Sequence, residues 1–254
     1  MKKVVTIFLG LLIFGSALAT LPKDSAQIIM QDANKLYESS EYVEAINLYK
    51  KIEAEFRSPI LFYNIGNCYF KIGNVPEAIV YYERSLKYDP ENENTLANLK
   101  QANKLITDDI RELPQTAVSQ WWYNFTRNKS INFWAQLSIY LMVAAFLILI
   151  LAVVRTPNFI RKFSMLLGSL LVLAGIFTFF LANTAKNNIE NDNYAIIFTP
   201  KVDVMSEPKD NGSRLFVIHD GLKVDIISEN NEWFEIKLAN GAIGWIKKED
   251  CKVI

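Results

Sequence analysis

Chemistry needs side chains that hold a proton, a metal or a nucleophilic pair, and this sequence offers few of them in any useful arrangement. His219 is the one histidine in 254 residues, and it lies in a β-forming run without a companion. Of the two cysteines, Cys68 sits among apolar residues of a helical pattern and Cys251 lies near the far end of the chain. Two apolar stretches separate them, so no disulfide is expected. No glycine-rich phosphate loop, zinc spacing or nucleophile elbow occurs. The chain therefore reads as no enzyme, with no cofactor and no metal. Its functional residues are sought among groups that bind. These are Asn34, Tyr37, Tyr63, Asn67, Phe70 and Lys71 in a helical region, Trp233 and Trp245 in a β-region, and Trp121, Trp122 and Trp134 beside an apolar segment. Lys+Arg and Asp+Glu balance at 27 each, and no polar segment is basic enough to imply nucleic acid.

The elements that must position these residues divide around two uncharged apolar segments, 133–154 and 163–182. At 1.5 Å per helical residue they reach ~33 and ~30 Å, the ~30 Å thickness of a hydrocarbon core, so they read as transmembrane helices. Gln136 and Ser138 are the modest polar groups of the first. The loop 155–162 carries Arg155, Arg161 and Lys162, which places it on the cytoplasmic side. Residues 1–19 have the layout of a secretory signal peptide: Lys2-Lys3, the apolar run from Val4 to Phe14, then Ala17-Leu-Ala19. Both indications put the polar regions on the outer side.

Residues 20–114 repeat themselves at a spacing of 33: Ala33 falls on Gly66, Asn34 on Asn67, Ala45 on Ala78, Ile46 on Ile79 and Tyr49 on Tyr82. The second copy runs Phe62-Tyr-Asn-Ile-Gly-Asn-Cys-Tyr-Phe-Lys-Ile-Gly73, then Pro76-Glu-Ala-Ile-Val-Tyr-Tyr82, and closes on Asp89-Pro90. It resembles a tetratricopeptide repeat, a two-helix unit stacked into an α-helical solenoid. The resemblance implies a concave groove lined by the first helix of each unit, here with Asn34, Tyr37, Tyr63, Asn67, Phe70 and Lys71. Asn34 and Asn67 stand where carboxylate-clamping repeats carry asparagine, whereas Met30 and Ala97 stand where the clamp has lysines. Ordinary groove polarity is the other reading of the two asparagines. The stretch from Asn94 to Leu113 reads as one amphipathic capping helix. Residues 115–132 hold Trp121-Trp122-Tyr123 and precede Trp134, so they read as a segment along the membrane–water boundary.

Beyond a tether at 183–193, residues 194–254 break into six short β-runs, 195–198, 202–205, 214–219, 223–228, 233–238 and 242–246, with turns at Asp220-Gly221 and Asn240-Gly241. The run Leu215 to Val224 and the hairpin Trp233 to Ile246 resemble bacterial SH3-like domains, a small all-β barrel. Trp233 and Trp245 are the candidate partner-binding residues, with barrel core as the competing role.

The order of signal peptide, repeats, tryptophan pair, two spans and SH3-like domain resembles the repeat-containing member of the Bacteroides aerotolerance (Bat) operon group. Its most specific local feature is the run from Ile110-Arg-Glu-Leu-Pro114 to Trp121-Trp122. The resemblance implies a multidomain inner-membrane protein of bacteria with both soluble domains periplasmic. Its implied partners are von Willebrand A-domain membrane proteins of the same operon, acting with an AAA+ ATPase in an aerotolerance or stress complex. Peptidoglycan is the alternative ligand of the SH3-like domain, and membrane lipid surrounds the spans.

Overall fold

The computed structural model describes residues 23–111, 113, 116–117, 121–122, 125, 129–153, 157–191 and 193–254. The expected signal peptide and Arg155 lie outside them. The chain divides into two compact units, one ending at Glu55 and the other beginning at Phe56.

The first unit holds helices α1 (Lys23–Glu38) and α2 (Tyr42–Glu53). They are joined by a turn in which Ser40 takes φ 65° and Glu41 N–H bonds the Leu36 carbonyl at 2.8 Å. Ala33 and Ala45 are fully buried, as the small positions of a packed helix pair must be. Tyr49 Oη donates to Asn34 Oδ1 at 2.6 Å and ties the two helices together.

The second unit opens with α3 (Pro59–Lys71), α4 (Val75–Tyr88) and α5 (Glu93–Asn103). Asn74 caps α4 by accepting from Glu77 N–H at 3.2 Å, and Asn92 caps α5 by accepting from Thr95 N–H at 3.0 Å. Gly66 is obligatory where α3 meets α4, because a Cβ there would lie 2.7 Å from the Tyr82 ring. Tyr82 Oη donates to Asn67 Oδ1 at 2.9 Å, so the strut of the first pair recurs 33 residues on.

The capping helix is shorter than the sequence suggests. α5 stops at Asn103, and 104–111 are not helical. Ile106 and Ile110 are spaced as on a helix face, yet both pack on the β-barrel core. Ile106, Asp108 and Ile110 are half-buried while Leu105, Thr107, Asp109 and Arg111 are exposed, so burial alternates along a segment that bends at 105–107. Tertiary burial outweighs local propensity here.

Helices α6 (Ile131–Val153) and α7 (Asn158–Asn191) form an antiparallel hairpin, both long and apolar enough to cross a membrane. Along α6, Trp134, Ser138 and Ala145 are buried; along α7, Ser164, Gly168, Gly175, Thr178 and Ala182. The three-and-four spacing of these mostly small residues is a close-packed helix seam. Ser138 Oγ donates across it to the Gly175 carbonyl at 3.0 Å. The remaining faces expose Tyr140, Phe146, Leu166, Leu173, Phe179 and other large apolar groups. The expected tether 183–193 is helical as far as Asn191, since Leu181, Ala182 and Ala185 pack with Trp134 and carry α7 past the apolar run.

The chain ends in a seven-stranded antiparallel sheet: β1 (Tyr194–Ile197), β2 (Lys201–Met205), β3 (Arg214–His219), β4 (Lys223–Asn230), β5 (Trp233–Lys237), β6 (Ile243–Lys247) and β7 (Cys251–Val253). Its order is β3-β2-β6-β5-β4-β1-β7, consistent with an SH3-like barrel. A short 3-10 turn, Lys248–Asp250, and β7 extend the six expected strands. Ile197, Val204, Ile218, Val224, Ile236 and Ile246 form the core, and Gly221 and Gly241, both at φ +84°, make the two turns.

Candidate functional site

The two β-region tryptophans share one face of the β5–β6 ribbon, because cross-strand partners point the same way: Trp233 opposes Lys247 and Glu235 opposes Trp245. The opposite face supplies Ile236 and Ile246 to the core. Both tryptophans are half-buried, and neither belongs to the barrel core, which was the competing role. Lys247 Nζ stands 5.8 Å from the Trp233 ring centroid and pairs with Asp210 at 2.8 Å. That hydrogen bond, and then the carboxylate's charge, raises the Lys247 amine above its ordinary value. Met205 pairs with Trp245, and Ser228 Oγ donates to Glu235 Oε2 at 2.7 Å. The result is an aromatic patch edged by charges of both signs.

In the helical region each candidate is described within its own unit. Asn34 and Tyr37 lie one turn apart on α1, where Tyr37 also meets the Tyr42 ring edge-on at 5.3 Å. Tyr63, Asn67, Phe70 and Lys71 lie on α3, Lys71 exposed and the others half-buried. Asn67 Oδ1 accepts from both Tyr82 Oη and Asn98 Nδ2, the latter at 2.8 Å. With both lone pairs engaged, the carboxamide offers a partner only its NH₂ donors. The asparagines are thus helix-pair struts first and groove residues second.

Trp121, Trp122 and Phe125 form one ring cluster, with Trp121 stacked on Phe125 at 5.6 Å and Phe125 reaching Trp134 at 5.3 Å. Trp121 and Trp122 are exposed, whereas Trp134 is buried in the hairpin with Nε1 unpartnered. It packs against Leu181 and Ala182 of α7. Arg161 and Lys162 are exposed in the first turn of α7.

The sequence reading did not anticipate a contact between the barrel and the second repeat. Lys252 pairs with both carboxylate oxygens of Glu77 at 2.9 Å, and Lys223 pairs with Glu83 at 2.7 Å. Lys223 Nζ also stands 4.2 Å from the Tyr194 ring centroid, and Lys87 Nζ donates to the Ile254 carbonyl at 2.8 Å. A signal for this was present. In α4 the five residues 78–82, Ala-Ile-Val-Tyr-Tyr, are all buried, whereas the first copy has Asn47 exposed where the second has Val80. A helix apolar all round is covered on more than one side.

Burial pushes the Cys68 thiol up to about 12; burial and then Asp250 push Cys251 up to about 11. Both are free thiols. Among the described residues, no cluster of three or more His, Cys, Asp or Glu could hold a metal ion.

The family model of the tetratricopeptide repeat matches residues 59–92, and that of the bacterial SH3 domain matches residues 199–251. The comparison with curated proteins finds no match to the chain. Both matched modules are of kinds that bind proteins, and the second also points toward the bacterial envelope and its peptidoglycan.

Proposed function

We propose that this protein is a non-catalytic scaffold of the bacterial inner membrane, presenting a repeat groove and an SH3-like module to envelope partners on the periplasmic side. The observation that carries this reading is the pairing of two binding modules with a hairpin whose outward faces are almost wholly large and apolar. Lipid is the medium that such faces suit. Anchoring two weak sites to one membrane element raises the effective concentration of each for a shared complex. The resemblance to the Bacteroides aerotolerance group names the partners: membrane-anchored von Willebrand A-domain proteins and their AAA+ ATPase. Affinity capture of the full chain from detergent-solubilised membranes tests this. Recovery of an A-domain protein, reduced by Tyr63→Ala with Lys71→Glu or by Trp233→Ala with Trp245→Ala, is the expected result. Recovery of wall fragments alone sinks it.

The bacterial SH3 match and the half-buried tryptophan pair on one face of the β5–β6 ribbon favour a second reading, a peptidoglycan-binding envelope anchor. Co-sedimentation with purified murein separates the two. It calls for the full chain rather than 194–254 alone, because Ile106 and Ile110 complete the barrel's apolar packing.

A further inference from the structure

Residues 105–111 leave α5, bend at 105–107 and run on as a non-helical strap whose Ile106, Asp108 and Ile110 meet the barrel. Asp108 is gripped from two directions. His219 N–H donates to Oδ2 at 2.6 Å, and His219 Nδ1 meets Oδ1 at 2.9 Å. A carboxylate only accepts, so Nδ1 carries the proton. Backbone and imidazole donors of one residue thus converge on a single carboxylate, which is 13% exposed. Ile106 and Ile110 fall on either side of it and pack on the barrel core. The two turn glycines mark the places where the strap comes closest: a Cβ at Gly221 would overlap Ile106, and one at Gly241 would lie 2.9 Å from Leu113. Leu113 N–H bonds the Ala239 carbonyl at 3.1 Å. The strap is not a strand of the sheet.

We infer that the barrel end built by His219, Gly221, Ala239 and Gly241 is a peptide-binding site filled in cis by residues 105–111 and Leu113, and that it takes an apolar-x-acidic-x-apolar segment of a partner protein when the strap lifts. The site uses different residues from the tryptophan patch and stands independently of the scaffold reading. Its parts are those of peptide recognition: apolar anchors at alternate positions, a preformed carboxylate receptor between them, and glycines that let the ligand approach the backbone. Side chains do most of the gripping, and side-chain contacts of this kind exchange more readily than a ladder of strand hydrogen bonds. The tether through α5 holds the strap at high effective concentration, so a weak site stays closed until a competitor or a pull on the strap opens it.

The test is binding of a fluorescent peptide with the sequence of residues 104–114 to the full-length, detergent-solubilised protein. In wild type the seat is taken, and little binding is expected. Ile106→Asp with Ile110→Asp lifts the strap and is expected to bind the peptide at least about tenfold more tightly than wild type. That gain is lost when the peptide carries alanine in place of Asp108, or when the protein also carries His219→Ala. If the double variant loses the barrel's melting transition, Asp108→Asn replaces it, with a smaller gain in the same direction. Equal peptide binding by wild type and a folded strap variant, or none by either, overturns the inference.

Discussion

At the scale of single residues, burial sets the behaviour of Cys68. Its thiol ordinarily titrates at 9.0 and is pushed up to about 12. Above pH 9.0 the unfolded chain releases this proton while the folded chain keeps it, so the contribution to stability is whole below that pH and is lost as pH rises toward 12. Wild type should therefore lose stability more steeply than Cys68→Ala between about pH 9 and 11, as read by denaturant midpoints. An identical slope for both would show that Cys68 is not desolvated. For the same reason Cys68 should resist alkylation in the native protein and react after unfolding. The Tyr82 hydroxyl is a strut of the second repeat, and Tyr82→Phe should cost about 1 kcal/mol by chemical denaturation while Asn98 still satisfies Asn67.

Between elements, close approach is what the small residues supply. Gly66→Ala places a methyl against the Tyr82 ring and should cost about 1–3 kcal/mol, because a fully buried tyrosine has nowhere to move. In the hairpin, a Cβ at Gly168 would collide with Leu149, and one at Gly175 would lie 2.9 Å from Met142 Sδ. Gly168→Leu should splay α6 from α7, seen as a lower melting temperature in detergent and a longer spin-label distance between the helices. Gly175→Ala should do less, since the methionine end is flexible. Unchanged distances in Gly168→Leu would mean that the seam is not what holds the hairpin.

For the whole second unit, the point at issue is the attachment of the barrel to the repeat. The Lys252–Glu77 and Lys223–Glu83 pairs have carboxylates only 16% and 17% exposed, so they are screened less than surface pairs. Glu77→Lys should loosen the barrel, raising hydrogen exchange in β1 and β7, and Lys252→Glu in the same chain should restore protection. A coupling of about 1 kcal/mol between the two positions is expected from a double-mutant cycle. Lack of rescue by the charge swap would assign the attachment to apolar contact alone.

What the sequence determined by itself is what short-range pattern encodes. Hydropathy alone gave the hairpin, since an uncharged run of membrane-spanning length has few other uses. Self-similarity at 33 residues gave the helix pairs with Gly66 and Ala78 between them, and alternation with Asn-Gly and Asp-Gly turns gave six of the seven strands. Trp233 and Trp245 could be named from the hairpin that resembles the SH3-like module, and the register of β5 and β6 then puts them on one face. Tertiary structure alone decided which face of α4 meets the barrel, that residues 104–111 leave the helix, that α7 continues to Asn191, and that Trp134 is buried. Ile106 and Ile110 fit a helix as well as a non-helical strap, and only the distant surface of His219 and Gly221 chooses between them. Contacts between residues more than a hundred positions apart leave no period in the chain. Their trace is an oddity, such as five apolar residues in a row on a helix, whose meaning appears only once the covering surface is known.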